Sequence, residues 1–213
     1  MHLLGLEPIM DALELLHRYG AGMGAAVSVG TGRAALVGRC RCQTWTDAAP
    51  MASAARAAAL GIVVASQPGF LSALGDGFAE AFGDRSDQLY SFASWQRVGI
   101  TVAGSSDAPV ITADPLIGIR DAILRRTSDG RVLGPAESLS ARDALALYTT
   151  RAAFACHRES EIGSLEPGKL ADFVVLDRSP LDTEPERITD IRVLATVVGG
   201  QPVFQAGDSP FRL

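Results

Sequence analysis

Apolar and polar positions fall into two regimes along this chain, separated by a stretch with no period at all. Pro8 to Tyr19 carries Ile9, Leu13 and Leu16 at helical spacing, with Asp11, Glu14 and Arg18 on other faces, and Gly20 stops the pattern. From Gly20 to Trp45 neither a 3.6-residue nor a 2-residue period is sustained. That segment has six glycines, three arginines and two cysteines, and no Asp, Glu or Lys. Patterning resumes at Thr46. Asp47 to Leu60 reads as an Ala-rich helix closed by Gly61, followed by the continuously apolar strand Gly61-Ile-Val-Val-Ala-Ser66, a run typical of a strand covered on both faces. Leu89 to Val98 reads as a second helix, ended by Gly99 and followed by the strand Ile100-Thr-Val-Ala103. The order helix, glycine, apolar strand, loop thus occurs twice and predicts α/β units with a parallel sheet.

Asp114-Pro115 opens the next helix, with Asp as N-cap and Pro in the first turn, running to about Arg126. Ser140 and Asp143 form a capping-box-like start for a helix carrying Leu145, Tyr148 and Ala152. After Glu159 the period shortens. Phe173 to Leu176, Arg192 to Val198 and Pro202 to Phe204 read as strands, with Gly199-Gly200 as a reversal that pairs the last two. The chain is therefore read as an α/β part over 1–158, containing the aberrant segment 20–45, and a β part over 159–213.

Composition narrows the function classes. The 213 residues are 47% hydrophobic and 20% charged, enough apolar mass for a sizeable core. A net charge of −5 and a pI near 5.2 leave no basic footprint, so a nucleic-acid partner is not expected. No apolar run approaches the roughly 20 residues that cross a bilayer, so no membrane partner is expected, and the first residues lack the basic stretch of a secretory signal. The odd, sparse cysteines Cys40, Cys42 and Cys156 suit a reducing compartment, giving a cytoplasmic reading.

In parallel α/β folds, functional groups stand just past the carboxyl ends of strands. Two such ends occur here, Ser66-Gln67-Pro68 and Ser105-Ser106-Asp107. Asp107 is either a general base or metal ligand, or simply the cap of the turn before Pro109. A hydrolytic zinc site takes three or more protein ligands, and His2, His17 and His157 are the only histidines. His17 suits a helix C-terminus and His157 a surface position. Cys40-x-Cys42 lacks the second pair that would make a zinc site. Arg125-Arg126 reads most simply as a solvated helix end, and Tyr90, Phe92 and Trp95 as helix packing.

Gly104-Ser-Ser-Asp-Ala-Pro109 followed sixty residues later by Gly163-Ser-Leu-Glu-Pro-Gly-Lys-Leu-Ala-Asp-Phe-Val-Val-Leu176 resembles the closing part of the amidohydrolase 3 family, metal-dependent hydrolases of non-peptide C–N bonds. Leu60 to Pro68 resembles the family's strand seven, and Leu139 to Ala155 its Tyr-Thr helix. The resemblance implies the last strands of a TIM-type barrel, plus the C-terminal part of a small β-sandwich. It implies Asp107 as metal ligand and proton shuttle, with Gln67, Ser106 and Arg125 lining the substrate site. His2-Leu-Leu-Gly5 resembles the His-x-x-Gly segment after strand five, whose His is a metal ligand, although Leu6 stands where the family has Asp. The strand-six His motif should fall in 20–45, which holds no His and no carboxylate; a frame-shifted coding stretch would produce such a composition, and the alternative is a true sequence with a flexible Gly-rich insertion. The expectation is the C-terminal portion of an enzyme that, when complete, holds a divalent metal of the zinc type and cleaves a small amide-like substrate. This chain would then be incomplete and inactive alone, and completed by an upstream chain or a homo-oligomer. The alternative is a non-catalytic pseudoenzyme or interaction module derived from the barrel.

Overall fold

A continuously apolar strand must be covered on both faces, and the parallel sheet of this protein meets that demand with helices on either side. The structure, a computed structural model, describes residues 2–4, 42–44, 51–59 and 61–210. The helix expected over Pro8 to Tyr19 lies outside these residues. So does segment 20–45, apart from Cys42–Thr44, which forms a strand where no period was read.

Strands β2 (Cys42–Thr44), β3 (Val63–Ser66) and β4 (Thr101–Gly104) lie in that order, all parallel. All four residues of β3 are buried, as its unbroken apolar run requires. Helix α1 (Met51–Ala59) connects β2 to β3. Helix α2 (Phe70–Phe82), a 3-10 segment (Gly83–Gln88) and helix α3 (Phe92–Arg97) connect β3 to β4. Helix α2 has no counterpart among the sequence expectations. Phe70, Leu74, Phe78 and Phe82 recur at every fourth position, but Gly75 and Gly77 interrupt the pattern. Helix α3 begins three residues later than expected, after Tyr90 turns with φ 53°. Tyr90, Phe92 and Trp95 are fully buried, with ring centroids 5.9 Å apart at each step.

Helix α4 (Pro115–Leu124) starts as expected: the Asp114 carboxylate accepts from the Leu116 N–H at 2.9 Å. The Ser140 hydroxyl likewise accepts from the Asp143 N–H at 3.1 Å and begins α5 (Ala141–Leu147). The single helix expected beyond Ser140 is two helices, because the chain breaks at Tyr148 and Thr149 before α6 (Thr150–Ala155). The break serves a contact. The buried Tyr148 ring fills the space where Gly104 of β4 and Gly118 of α4 would carry side chains. A Cβ on Gly104 would lie 2.5 Å from Tyr148 Cζ, and one on Gly118 would lie 1.7 Å from its hydroxyl. Burial first, then the neighbouring Asp121 and Asp114 carboxylates, push the Tyr148 hydroxyl well above its ordinary pKa.

The second sheet is antiparallel, in the order β1 (His2–Leu4), β5 (Phe173–Leu176), β6 (Val193–Val198), β7 (Gln201–Gln205). The expected reversal at Gly199-Gly200 joins β6 to β7, with φ 54° and 80°. Positive φ at both positions suits a two-residue hairpin whose twist matches its strands. Every residue of β7 is exposed, and its outer edge has no strand partner among the described residues. No helix among the described residues is long and apolar enough to cross a membrane.

The Tyr148 contact predicts the sign of a helix substitution. Gly118→Ala in an ordinary helix interior gains up to about 1 kcal/mol. Here overpacking, which costs roughly 1–3 kcal/mol and occasionally more, should outweigh that gain. Urea denaturation is expected to show net destabilisation, partly recovered when Tyr148→Phe removes the hydroxyl. A stabilised Gly118→Ala protein would show that the ring does not occupy this space.

Candidate active site at the carboxyl end of the parallel sheet

β3 and β4 end together. Ser66 stands in register with Gly104, and the Ser105 N–H extends the ladder by donating to the Ser66 carbonyl at 2.8 Å. Both chains therefore leave the sheet at one edge, the place where parallel α/β sheets present reactive groups. Asp107 follows two residues later, with φ 53°. Its N–H donates to Ser105 Oγ at 3.3 Å, its carbonyl accepts from the Val110 N–H at 2.8 Å, and its side chain is exposed.

On the β3 side the chain turns at once into α2. The Phe70 N–H donates to the Gln67 carbonyl and the Leu71 N–H to the Pro68 carbonyl, each at 3.0 Å. The loop after Asp107 leans on this turn: a Cβ at Gly69 would lie 2.6 Å from Ile111 Cδ1. Ser66, Gln67 and Ser106 are buried, at 0%, 2% and 5% exposure. Among the described residues Ser66 Oγ, Gln67 Oε1 and Ser106 Oγ have no hydrogen-bond partner. Asp76 Oδ1, Gln96 Nε2 and Ser209 Oγ share this condition among the described residues; what distinguishes Ser66, Gln67 and Ser106 is their place at two adjoining strand ends.

The other expected site residues lie elsewhere. The backbone of His2 pairs with Leu176 in β1, in the antiparallel sheet, whereas Asp107 follows the parallel one. His157 is exposed, as expected. His17 and Cys40 lie outside the described residues. Arg125 requires a correction, since it is not a solvated helix end. It caps α4 with φ 53° and is fully buried. Its Nε donates to the Leu133 carbonyl at 2.6 Å, Nη1 to Tyr90 at 2.9 Å and Nη2 to Leu89 at 2.8 Å, while the guanidinium lies 5.7 Å from the Phe92 ring centre. Burial lowers its pKa to about 10, opposed by the Glu137 and Asp87 carboxylates, so it stays charged at neutral pH. The guanidinium thus ties the α4 end to the turn before α3 and leaves no face to solvent. Arg126 is the solvent-facing member of the pair, 3.6 Å from Glu186.

A second buried cluster escaped the sequence reading. The Asp121 carboxylate, 1% exposed, accepts from Ser72 Oγ at 2.5 Å and from Arg120 Nε at 2.7 Å. Burial raises its pKa against the pull of Ser72 and Arg120. Its position three residues after the buried Gly118 placed it on the inner stripe of α4, which was the available signal. Among the described residues no group of three or more His, Cys, Asp or Glu side chains is gathered that could hold a metal ion.

Residues 16–204 match the amidohydrolase family. The chain is 37% identical over 147 residues to the N-substituted formamide deformylase of Arthrobacter pascens, covering 68% of this chain and 27% of that protein. It is 37% identical over 155 residues to the protein LONG AFTER FAR-RED 3 of Arabidopsis thaliana, covering 71% of this chain and 26% of that protein. It is similar in structure to a metal-dependent hydrolase from Pyrococcus horikoshii OT3, with a TM-score of 0.59 at 26% identity, over 68% of this chain and 30% of the other. The chain therefore spans little more than a quarter of the curated relatives named.

The burial of Arg125 separates a packing role from a substrate role. Arg125→Lys keeps the charge but loses the planar fork. It should lower the unfolding free energy by about 2 kcal/mol or more, since charge-assisted bonds to buried carbonyls are lost. Unchanged stability on thermal and urea unfolding would return Arg125 to the list of substrate contacts.

Proposed function

The chain belongs to the amidohydrolase family, and we propose that it is the C-terminal part of a metal-dependent hydrolase that cleaves non-peptide C–N bonds of amide or formamide type. In this reading β2, β3 and β4 are the last strands of a TIM-type barrel, and β5 to β7 belong to a small sandwich domain. The observation that carries it is the strand end itself, where β3 and β4 finish in register and are followed by Gln67 on one side and by Ser106 and the exposed Asp107 on the other. The formamide class is supported by the name of the Arthrobacter relative.

Hydrolysis of an amide forms a C–O bond from water, breaks the C–N bond and moves one proton to the leaving nitrogen. Asp107 would accept that proton from the attacking water and return it to the nitrogen; positioned proton transfer of this kind contributes roughly 10²–10⁴-fold. Gln67 and Ser106 would hold the substrate beside it. The structural relatives named as metal-dependent hydrolases support a metal in the complete enzyme, which we take to be a divalent ion of the zinc type. The described residues do not themselves fit one. Asp107 follows the parallel sheet while His2 pairs in the antiparallel one, and among the described residues no three such side chains gather, whereas a catalytic zinc takes three from protein. The catalytic donors would come from the upstream part that the longer relatives have.

A chimera tests this reading. Residues 46–203 would replace the corresponding segment of the Arthrobacter deformylase, beside an assay of the 213-residue chain alone on N-substituted formamides. The isolated chain is expected to show no turnover. The chimera should hydrolyse the formamide and lose at least about 100-fold in kcat with Asp107→Asn, as removal of a proton-transfer group requires. A folded chimera without activity, or one indifferent to Asp107→Asn, would refute the proposal.

A further inference from the structure

Helix α2 begins without a cap of its own. Its N-cap is Gly69, which has no side-chain oxygen to accept the orphan N–H groups of the first turn, and no acidic residue stands in that turn to offset the helix dipole. A side chain at Gly69 would press on its surroundings, since a Cβ there would lie 2.6 Å from Ile111 Cδ1 and 3.6 Å from Ile117 Cγ2. The loop after β4 and the first turn of α4 thus occupy the place of the missing cap.

Asp121 of α4 supplies what is missing. Its carboxylate, 1% exposed, accepts from Ser72 Oγ at 2.5 Å, and Ser72 is the third residue of α2. An N-cap oxygen normally serves the second or third residue of its helix. Burial raises the Asp121 pKa, while the Ser72 hydroxyl, Arg120 and the Ser72 main-chain N–H all favour the charged form. Arg120 closes the cluster: its Nε donates to Asp121 at 2.7 Å and its Nη2 to Ser72 Oγ at 3.0 Å. A buried ion pair contributes little net stability over apolar side chains of the same shape, but its directed hydrogen bonds fix one arrangement.

We propose that Asp121 is the N-cap of α2, supplied from α4, and a positioning residue for the strand-end site. It holds the first turn of α2 against α4, and that turn seats Ile111 at Gly69. Ile111 adjoins Val110, whose N–H donates to the Asp107 carbonyl at 2.8 Å. The loop after β3 and the Asp107 loop are therefore fixed to each other as well as to their strands. The role of Asp107 rests on the hydrolase reading above; the cap does not.

Amide exchange on the 213-residue chain tests the cap. In the wild type the Leu71 and Ala73 N–H groups, bonded to the Pro68 and Gly69 carbonyls, should be protected to within about ten-fold of Ala79 farther along α2, whereas an uncapped first turn frays. Asp121→Leu keeps the branched shape and removes the acceptor. Protection at Leu71 and Ala73 should then fall about ten-fold, the effect of a lost N-cap, with the Asp107 N–H signal displaced and the β5–β6 amides unchanged. Asp121→Asn keeps an acceptor oxygen and should lose less than about three-fold. Frayed first-turn amides in the wild type would overturn the proposal, even where the leucine variant fails to fold. So would an equal loss of protection throughout the chain, or equal losses in the two variants. The deformylase chimera separates the two readings. When it is active, Asp121→Leu should lower kcat at least about ten-fold, the effect of a proton-transfer group held out of place, with KM changed less; unchanged kcat would remove the positioning role. A chimera inactive before any substitution removes the hydrolase reading, and the exchange result still decides the cap.

Discussion

The end of strand β4 is held by one aromatic ring. Tyr148 lies where the helix from Ser140 breaks, and its ring occupies the volume that side chains at Gly104 and Gly118 would fill. A strand, a helix and a helical break are thereby locked at one point, and interiors packed at crystal-like density permit little adjustment there. Gly104 is the last residue of β4, in register with Ser66, and the Ser105-to-Ser66 hydrogen bond follows directly. The positions of Ser106 and Asp107 descend from this contact. The glycine of the Gly-Ser-Ser-Asp turn is thus explained by what packs behind it.

Two buried charged groups show how the same core tolerates polarity. Arg125 is fully buried, and three main-chain carbonyls take its hydrogen bonds. The nearby Glu137 and Asp87 carboxylates act at longer range; they also bind main-chain N–H groups, Glu137 that of Ser94 and Asp87 that of Gly134, at 2.8 and 2.7 Å. The loop after α4 is therefore stitched to α3 and its preceding turn by polar bonds. Asp121 is paired with Arg120 and Ser72 and is likewise satisfied. Among the described residues the oxygens of Ser66, Gln67 and Ser106 have no such partner, a condition they share with Asp76 Oδ1, Gln96 Nε2 and Ser209 Oγ.

Much of this was legible in the sequence wherever one residue's chemistry decides one local geometry. The apolar runs of β3, β4 and β5, the caps at Asp114 and Ser140 and the Gly199-Gly200 turn all behave as their residues dictate. Features set by distant contacts were not legible. The break after Leu147 depends on Gly104 and Gly118, and the burial of Arg125 depends on Leu89, Tyr90 and Leu133. Two adjacent arginines at a helix end look alike in sequence, yet one is core and the other surface. Helix α2 was hidden by Gly75 and Gly77, although Gly75 faces Thr127 at a distance that leaves no room for a side chain. At the candidate site, Asp107, Gln67 and Ser106 were visible as strand-end residues, but their contrast in burial was not.

The central claim is that Tyr148 sets the end of the parallel sheet, and amide hydrogen exchange tests it at single residues. In the wild-type protein the Ser105 N–H, bonded to Ser66, should exchange slowly together with β4. In Tyr148→Ala, protection at Ser105 should fall by at least about ten-fold, while the pairing of β5 with β6 keeps its protection, because local opening is confined to the element that lost its support. Unchanged protection at Ser105 in the variant would contradict the account, and would mean that the strand end is held by something other than the ring.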